Sequence, residues 1–230
     1  FTPEYYYIVN ADYEEGFVST MLNPDDGSVM RFPSPDAVPD VPRDGKVQQV
    51  EAKTTSTHAP QLYDLGALQA EAASQLHLSP TETLDIVQSL YEKHKCLSYP
   101  RTQCRYVSTE KAKEFAQFIE QAKVFPELSQ AADSIGDISF IFSDKKVVND
   151  AEVAKESHDA LLPTTIAPNL DAMTANERAV CLMVYTRMLA QFLPKLQERV
   201  TQVMIHHGQY PFLAKGKSII ELGWRILYGG

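Results

Sequence analysis

The order in which local character changes along this chain limits the folds open to it more than any single motif does. Residues 5–10 (Tyr5-Tyr6-Tyr7-Ile8-Val9-Asn10) and 16–21 are β-prone, and an acidic turn from Asp12 to Glu15 joins them as a strand pair. Residues 23–42 hold five prolines and the turn Asp25-Asp26-Gly27 and read as loop; 45–53, where Val47 and Val50 alternate with polar residues, reads as another strand. Near Pro60 the period changes. Apolar residues fall at helical spacing over 65–76 (Leu65, Leu68, Ala72, Leu76) and again over 80–94 (Leu84, Val87, Leu90, Tyr91). Ser79, Pro80 and Glu82 form a capping-box pattern at the start of the second helix. Ser108 opens a third helix expected over 109–123, with Phe115, Phe118 and Ile119 inward, and 139–142 and 146–148 look like short strands. A long amphipathic helix is expected over 174–193, with Asn176-Glu177 at its start and Pro194 after its end. Strand character then returns over 200–206, 210–214 and 218–222. The expected class is α+β: a mainly helical domain of 61–170 inserted into an all-β domain made of 1–60 and 171–230, with helix 174–193 at the junction.

Charge narrows the function. A net charge of −9 over 230 residues argues against a protein whose whole surface grips DNA. Between Lys93 and Lys113, however, six basic residues (Lys93, Lys95, Arg101, Arg105, Lys111, Lys113) face one acid, Glu110, an island suited to a phosphate site. No apolar run approaches the roughly 20 residues needed to span a bilayer, so no membrane partner is expected. The opening Phe1-Thr2-Pro3-Glu4 lacks an initiator Met and a signal-peptide layout, as expected of a piece of a longer protein. Three cysteines without CxxC spacing indicate neither a zinc ribbon nor a disulfide scaffold, and a reducing cytoplasm is the expected compartment.

Two stretches could carry chemistry. In Leu97-Ser98-Tyr99-Pro100-Arg101-Thr102-Gln103-Cys104-Arg105-Tyr106, Pro100 pushes Tyr99 out of helical conformation, and in an extended stretch residues 99 and 101 share a side. A phenol with a pKa of about 10 is a poor nucleophile near neutrality. A neighbouring guanidinium favours phenolate and can bind the phosphate under attack. Taken alone, the same spelling also suits a Tyr that caps a core beside a solvated Arg. The second stretch, Glu156-Ser157-His158-Asp159-Ala160-Leu161-Leu162-Pro163-Thr164, offers a His that could contact phosphate or move a proton, or simply an ordinary surface His. His206 and His207 are adjacent in a strand pattern and face opposite ways, which is poor geometry for a shared metal. With no Gly-rich phosphate loop and no Asp-x-Asp cluster, no metal site is expected in this chain.

Together these two stretches, some 55 residues apart, resemble the type IA DNA topoisomerases, and Tyr-Pro-Arg-Thr followed by Cys104-Arg105-Tyr106 is most like the bacterial topoisomerase III branch. Leu62-Tyr63-Asp64-Leu65-Gly66-Ala67-Leu68-Gln69 is similar to that family's entry into its nucleophile domain. Glu221-Leu222-Gly223-Trp224-Arg225-Ile226-Leu227-Tyr228 is similar to its gate-domain strand ending in Gly-Trp-Arg. The resemblance implies that Tyr99 attacks single-stranded DNA and leaves a 5′-phosphotyrosyl link. Arg101 would hold the scissile phosphate, and His158 would contact it or assist proton movement. Lys95, Thr102, Gln103, Arg105 and Gln69 would contact DNA. The β domain would be a hinged arch that opens a gate for a second strand, with religation needing no ATP. It implies Mg²⁺ held by an acidic domain of the same polypeptide outside this chain, and a monomer in the bacterial cytoplasm, nucleoid- or plasmid-associated. The isolated chain is expected to be inactive. Two positions depart from the family pattern: Gln103 stands where an acid is common, and Gly66 where Ser or Thr is frequent. Gln103 keeps one alternative open, a non-catalytic nucleic-acid or protein-interaction module on the same fold.

Overall fold

The structure, a computed structural model, describes residues 4–229. It is α+β and divides into two units, one of residues 4–56 with Gln197–Glu221, the other of Thr57–Leu196 with 222–229.

The first unit is a five-stranded sheet. β1 (Asn10–Asp12), β2 (Val18–Met21), β3 (Lys46–Thr57), β4 (Leu196–His207) and β5 (Tyr210–Glu221) lie in the order β1-β2-β5-β4-β3. β4 and β5 form one long antiparallel hairpin with a register shift at Gln197/Glu198, and β2 adds to β5 with Thr20 opposite Leu213. The strands expected at 210–214 and 218–222 are therefore one strand. The stretch 5–10 is mostly irregular; Tyr7 makes an isolated bridge to Phe32 instead. Met21, Phe32, Ile205 and Phe212 form a small core with half-buried Tyr13 and Val203 around it. Next to it His207 is almost fully buried and uses both ring nitrogens. Nδ1–H donates to the Pro42 carbonyl at 2.8 Å, which leaves Nε2 to accept from the Tyr13 hydroxyl at 2.8 Å. A histidine bonded in this way is a structural one.

The second unit is helical. α1 (Leu65–Leu76) and α2 (Pro80–Glu92) start where the sequence places them: Asp64 caps α1 by accepting from Ala67 N, and the Ser79/Glu82 capping box closes around α2. The expected helix 109–123 is broken into α3 (Thr109–Ala112) and α4 (Phe115–Ala122), with Phe115, Phe118 and Ile119 buried as anticipated. α5 (Pro126–Ser134) begins on a proline, and α6 (Asp150–Glu156) on Asn149, whose side chain accepts from Glu152 N; both escaped the periodicity reading. The stretch 139–142 is not a strand but part of a 3₁₀ turn, Ser139–Ser143, anchored by buried Ile141, and of 146–148 only Val148 bridges, to Val107. At five residues or fewer, apolar alternation does not separate a strand from a single helical turn.

α7 (Ala175–Leu189) corrects the domain boundary. Every residue from Met183 to Leu189 is buried, so the C-terminal half of this helix is enclosed by the helical unit, while Ala175 and Asn176 at its start stay exposed. Arg187 shows how that is possible. Its Nε donates to the Tyr228 hydroxyl at 3.0 Å, Nη1 to the Gln61 carbonyl at 3.0 Å, and Nη2 to the Tyr63 hydroxyl at 3.1 Å and to Glu71, while the guanidinium lies 4.0 Å from the Tyr63 ring centre. The boundary thus falls between Leu196 and Gln197 rather than at 171. The Gly-Trp-Arg stretch is likewise not strand: Gly223–Tyr228 is a 3₁₀ helix of the helical unit. Gly223 has a positive φ, and a Cβ there would lie 2.2 Å from the Pro194 carbonyl oxygen, so this tight return admits only glycine.

Candidate active site

Two stretches distant in sequence are sewn together by backbone hydrogen bonds. After α2, Lys95 adopts the left-handed conformation (φ 56°), which turns the chain into an extended run. There Leu97 bridges Pro163 antiparallel, Ser98 N–H donates to the Leu162 carbonyl (2.8 Å), and Thr164 N–H to the Cys96 carbonyl (3.0 Å). From the other side, α6 stops at Ser157, also left-handed (φ 62°), and the chain then passes His158. Ala160 N–H donates to the Tyr106 carbonyl and Leu161 N–H to the Tyr63 carbonyl, each at 2.8 Å. The runs 62–65, 97–107 and 158–164 therefore form one small frame, although no periodic pattern marks them.

Within that frame the ladder is interrupted at Tyr99-Pro100-Arg101. Pro100 is buried, while Tyr99 and Arg101 on either side of it are exposed, the Tyr ring to 38%. The Tyr99 and His158 ring centres are 5.0 Å apart at 40°, and Tyr91 from α2 meets Tyr99 edge-on at 5.8 Å. A cavity of about 540 Å³ opens on the Arg101 side, lined by Asp64, Gly66, Gln69, Arg101, Thr102 and Gln103. Another, of about 500 Å³, is lined by Tyr91, Glu92, Lys95, Leu97, Ser98 and Thr164. Both are within the size range of small-ligand pockets.

The expected site residues are placed as follows. Tyr99 and His158 are in ring contact, with Arg101 two residues from Tyr99 on an exposed rim. Gln69 and Gln103 face the first cavity and Lys95 the second; Gln69 Nε2 donates to the Pro80 carbonyl at 2.9 Å. Thr102 lines the first cavity as well. It is 2% exposed, and its hydroxyl donates to the Asp159 carbonyl (2.9 Å) and accepts from Cys104 N–H (3.1 Å). Arg105 is half-buried and gives its Nε–H to the Leu62 carbonyl at 3.1 Å. In the basic island, Lys111 and Lys113 are paired with Glu114 and Glu110, whereas Lys93, Lys95 and Arg101 have no carboxylate partner among the described residues. Burial pushes the Cys104 thiol up from its ordinary value, consistent with an inert packing residue. At Gly66 an added Cβ would meet only Asp64 Oδ1, at 3.6 Å, so space alone does not demand glycine there.

Ser98, Tyr91 and Asp159 were not singled out beforehand. The Asp159 carboxylate accepts from Ser108 N–H at 2.5 Å, which ties the His158 segment to the start of α3. A polar residue next to a candidate His was the only signal available. Among the described residues there is no group of three His, Cys, Asp or Glu side chains that could hold a metal ion. No described helix is long and apolar enough to cross a membrane.

The frame thus brings the Tyr99 ring against the His158 ring, with exposed Arg101 two residues further along the chain. The family model for DNA topoisomerase matches residues 1–230, and the chain belongs to that family. It is 34% identical over 181 residues to DNA topoisomerase 3 of Bacillus licheniformis, covering 78% of this chain and 24% of the relative. To DNA topoisomerase 3 of Vibrio cholerae it is 30% identical over 183 residues, covering 80% and 28%. Among solved structures, full-length topoisomerase I from Thermotoga maritima superposes with a TM-score of 0.65 at 16% identity, over 100% of this chain and 37% of that one, a likeness of fold. The chain is thus of the type IA, topoisomerase III-like kind, and spans about a quarter of the length of the curated relatives it matches.

Proposed function

We propose that this chain carries the nucleophile of a bacterial type IA topoisomerase, and that Tyr99 is that nucleophile. The observation that carries the reading is the contact between the exposed Tyr99 ring and the His158 ring beside Arg101, made by two stretches that the sequence keeps 59 positions apart (158 − 99). Tyr99 Oη attacks a phosphodiester of single-stranded DNA, the Oη–P bond forms, and the bond from phosphorus to the 3′ oxygen breaks. The phenolic proton is lost and the departing 3′ oxygen takes one up. Arg101 stabilises the charge on the phosphoryl oxygens, and His158 serves the proton movement. Reversal, with the 3′-hydroxyl attacking the phosphotyrosine, reseals the strand without ATP. Gln69, Gln103 and Lys95 line the path of the strand on either side. The sheet unit acts as the arch of the gate. Mg²⁺ comes from a part of the polypeptide outside this chain, in the bacterial cytoplasm, and no step above is assigned to it.

The test uses the intact polypeptide with labelled single-stranded DNA and Mg²⁺, followed by denaturation, digestion and mass spectrometry. A nucleotide on Tyr99, absent in Tyr99→Phe, is expected. The 230-residue chain alone is expected to leave supercoiled plasmid unrelaxed. Gln103 supports the second reading, a module without activity; binding of DNA by the intact protein with no adduct on any residue would favour it.

A further inference from the structure

We infer that Ser98 and Thr102 are positioning residues, a pair of hydroxyl clips that hold Tyr99 and Arg101 out of the frame as a bulge. The inference rests on the reading of Tyr99 as nucleophile but concerns residues with no role in the bond changes themselves. Ser98 Oγ accepts from Leu162 N–H at 3.0 Å, and its own N–H donates to the Leu162 carbonyl. Thr102 Oγ1 donates to the Asp159 carbonyl at 2.9 Å. The two runs are antiparallel, so between the clips lie three residues on one side (Tyr99, Pro100, Arg101) and two on the other (Ala160, Leu161). The extra residue bows the run outward between its two anchors, much as a β-bulge re-aims side chains in a ladder. Here buried Pro100 points inward, while Tyr99 and Arg101 emerge together. Pro100 also lacks an N–H, so the interrupted ladder leaves no donor unsatisfied at that position.

Thr102 is the stronger clip. Its neighbour is Arg101, and the neighbour of its acceptor Asp159 is His158, so one hydrogen bond ties together the residues that follow the two candidate groups. The same threonine accepts Cys104 N–H through its hydroxyl and Leu65 N–H through its carbonyl (3.1 Å). Asp159 is held in turn by its bond from Ser108 N–H. Every hydrogen-bonding group of the Thr102 side chain is thus used to fix geometry.

The test compares Thr102→Val, which keeps the shape and removes the hydroxyl, with Thr102→Ser, which restores it. In the intact polypeptide, single-turnover formation of the Tyr99 adduct should slow by roughly 10- to 100-fold in Thr102→Val, as a displacement near 1 Å costs. Affinity for single-stranded DNA should stay within about twofold of wild type, and Thr102→Ser should recover most of the rate. In the 230-residue chain, ring-proton NOEs between Tyr99 and His158 should persist in the wild type and Thr102→Ser and disappear in Thr102→Val. A Thr102→Val protein with the wild-type adduct rate and intact NOEs would overturn the inference. So would equal losses of rate, binding and stability in both variants. If the wild type forms no adduct on Tyr99 while the NOEs follow the expected pattern, the proposed chemistry falls and the clips stand.

Discussion

The helical unit encloses a cluster of thirty-two buried side chains, whereas the sheet unit gathers four, Met21, Phe32, Ile205 and Phe212. β3 is exposed along almost its whole length, with Val47 and Val50 about 60% in solvent, and the second half of β5 is equally open. A reacting constellation must be held to a fraction of an ångström, which requires side chains locked by packing and by supporting hydrogen bonds. A sheet with few buried contacts opens locally at lower cost. The frame of Tyr99, Arg101 and His158 lies entirely in the densely packed unit.

That contrast can be attacked in order of expected effect. Replacing Arg187 by Ala leaves Glu71, Tyr63 and Tyr228 without their shared partner inside the helical core. The expected cost is about 3–5 kcal/mol, read as a lower denaturation midpoint for that unit. A loss below 1 kcal/mol would mean that apolar packing alone holds the unit, and would weaken the contrast.

A smaller effect is expected from acid. Glu177 accepts from Ser89 Oγ at 2.6 Å and from Thr174 N–H, and lies 3.3 Å from His94 Nε2. The bond from Ser89, then that from Thr174, hold its carboxyl down from an ordinary 4.5 to about 2. A lowered folded value means that the unfolded chain takes up the proton first as pH falls. The stabilisation is therefore full above about 4.5 and is lost as pH drops through about 2. Glu177→Gln should flatten the acid limb of the helical unit's melting temperature between those values while leaving the sheet unit's unchanged. An unaltered limb would show that other carboxylates govern acid unfolding.

The smallest effect belongs to the sheet unit. A Cβ on Gly45 would sit 2.8 Å from both His207 Nε2 and Ile205 Cγ2, where the thin core has little room to yield. Gly45→Ala should cost about 1–3 kcal/mol and raise amide exchange in β4, with none of the change reaching α1 or α2. A wild-type melting curve would show that the small core is looser than its burial implies.

How much of this was legible depends on how local the cause is. The start of α1, the capping box of α2 and the inward face of α4 follow from side chains within one turn of each other, and the sequence reading found them. The break after Ala112 and the 3₁₀ turn at Ser139–Ser143 have no such local signature and were misread. The roles proposed for Tyr99, Arg101 and His158 rest on a resemblance, because motif spacing is a property of the chain. The internal bond of the Thr102 hydroxyl could not be read in advance, because its acceptor lies 57 positions away.

The sequence by itself thus determined the class of fold, the alternation of strand and helix, the family, and the identity of the tyrosine that stands in an extended run ahead of a proline. The fold class and the alternation of elements depend on period, capping and backbone restriction, which act over a few residues, while the family was read from a resemblance of motifs. Only the tertiary structure decided that α7 belongs wholly to the helical unit, that Gly-Trp-Arg closes a 3₁₀ turn there, and that Tyr99 meets His158. Each of those depends on which distant groups satisfy a buried charge or a backbone N–H. That is settled only when the whole chain has found places for all of them at once.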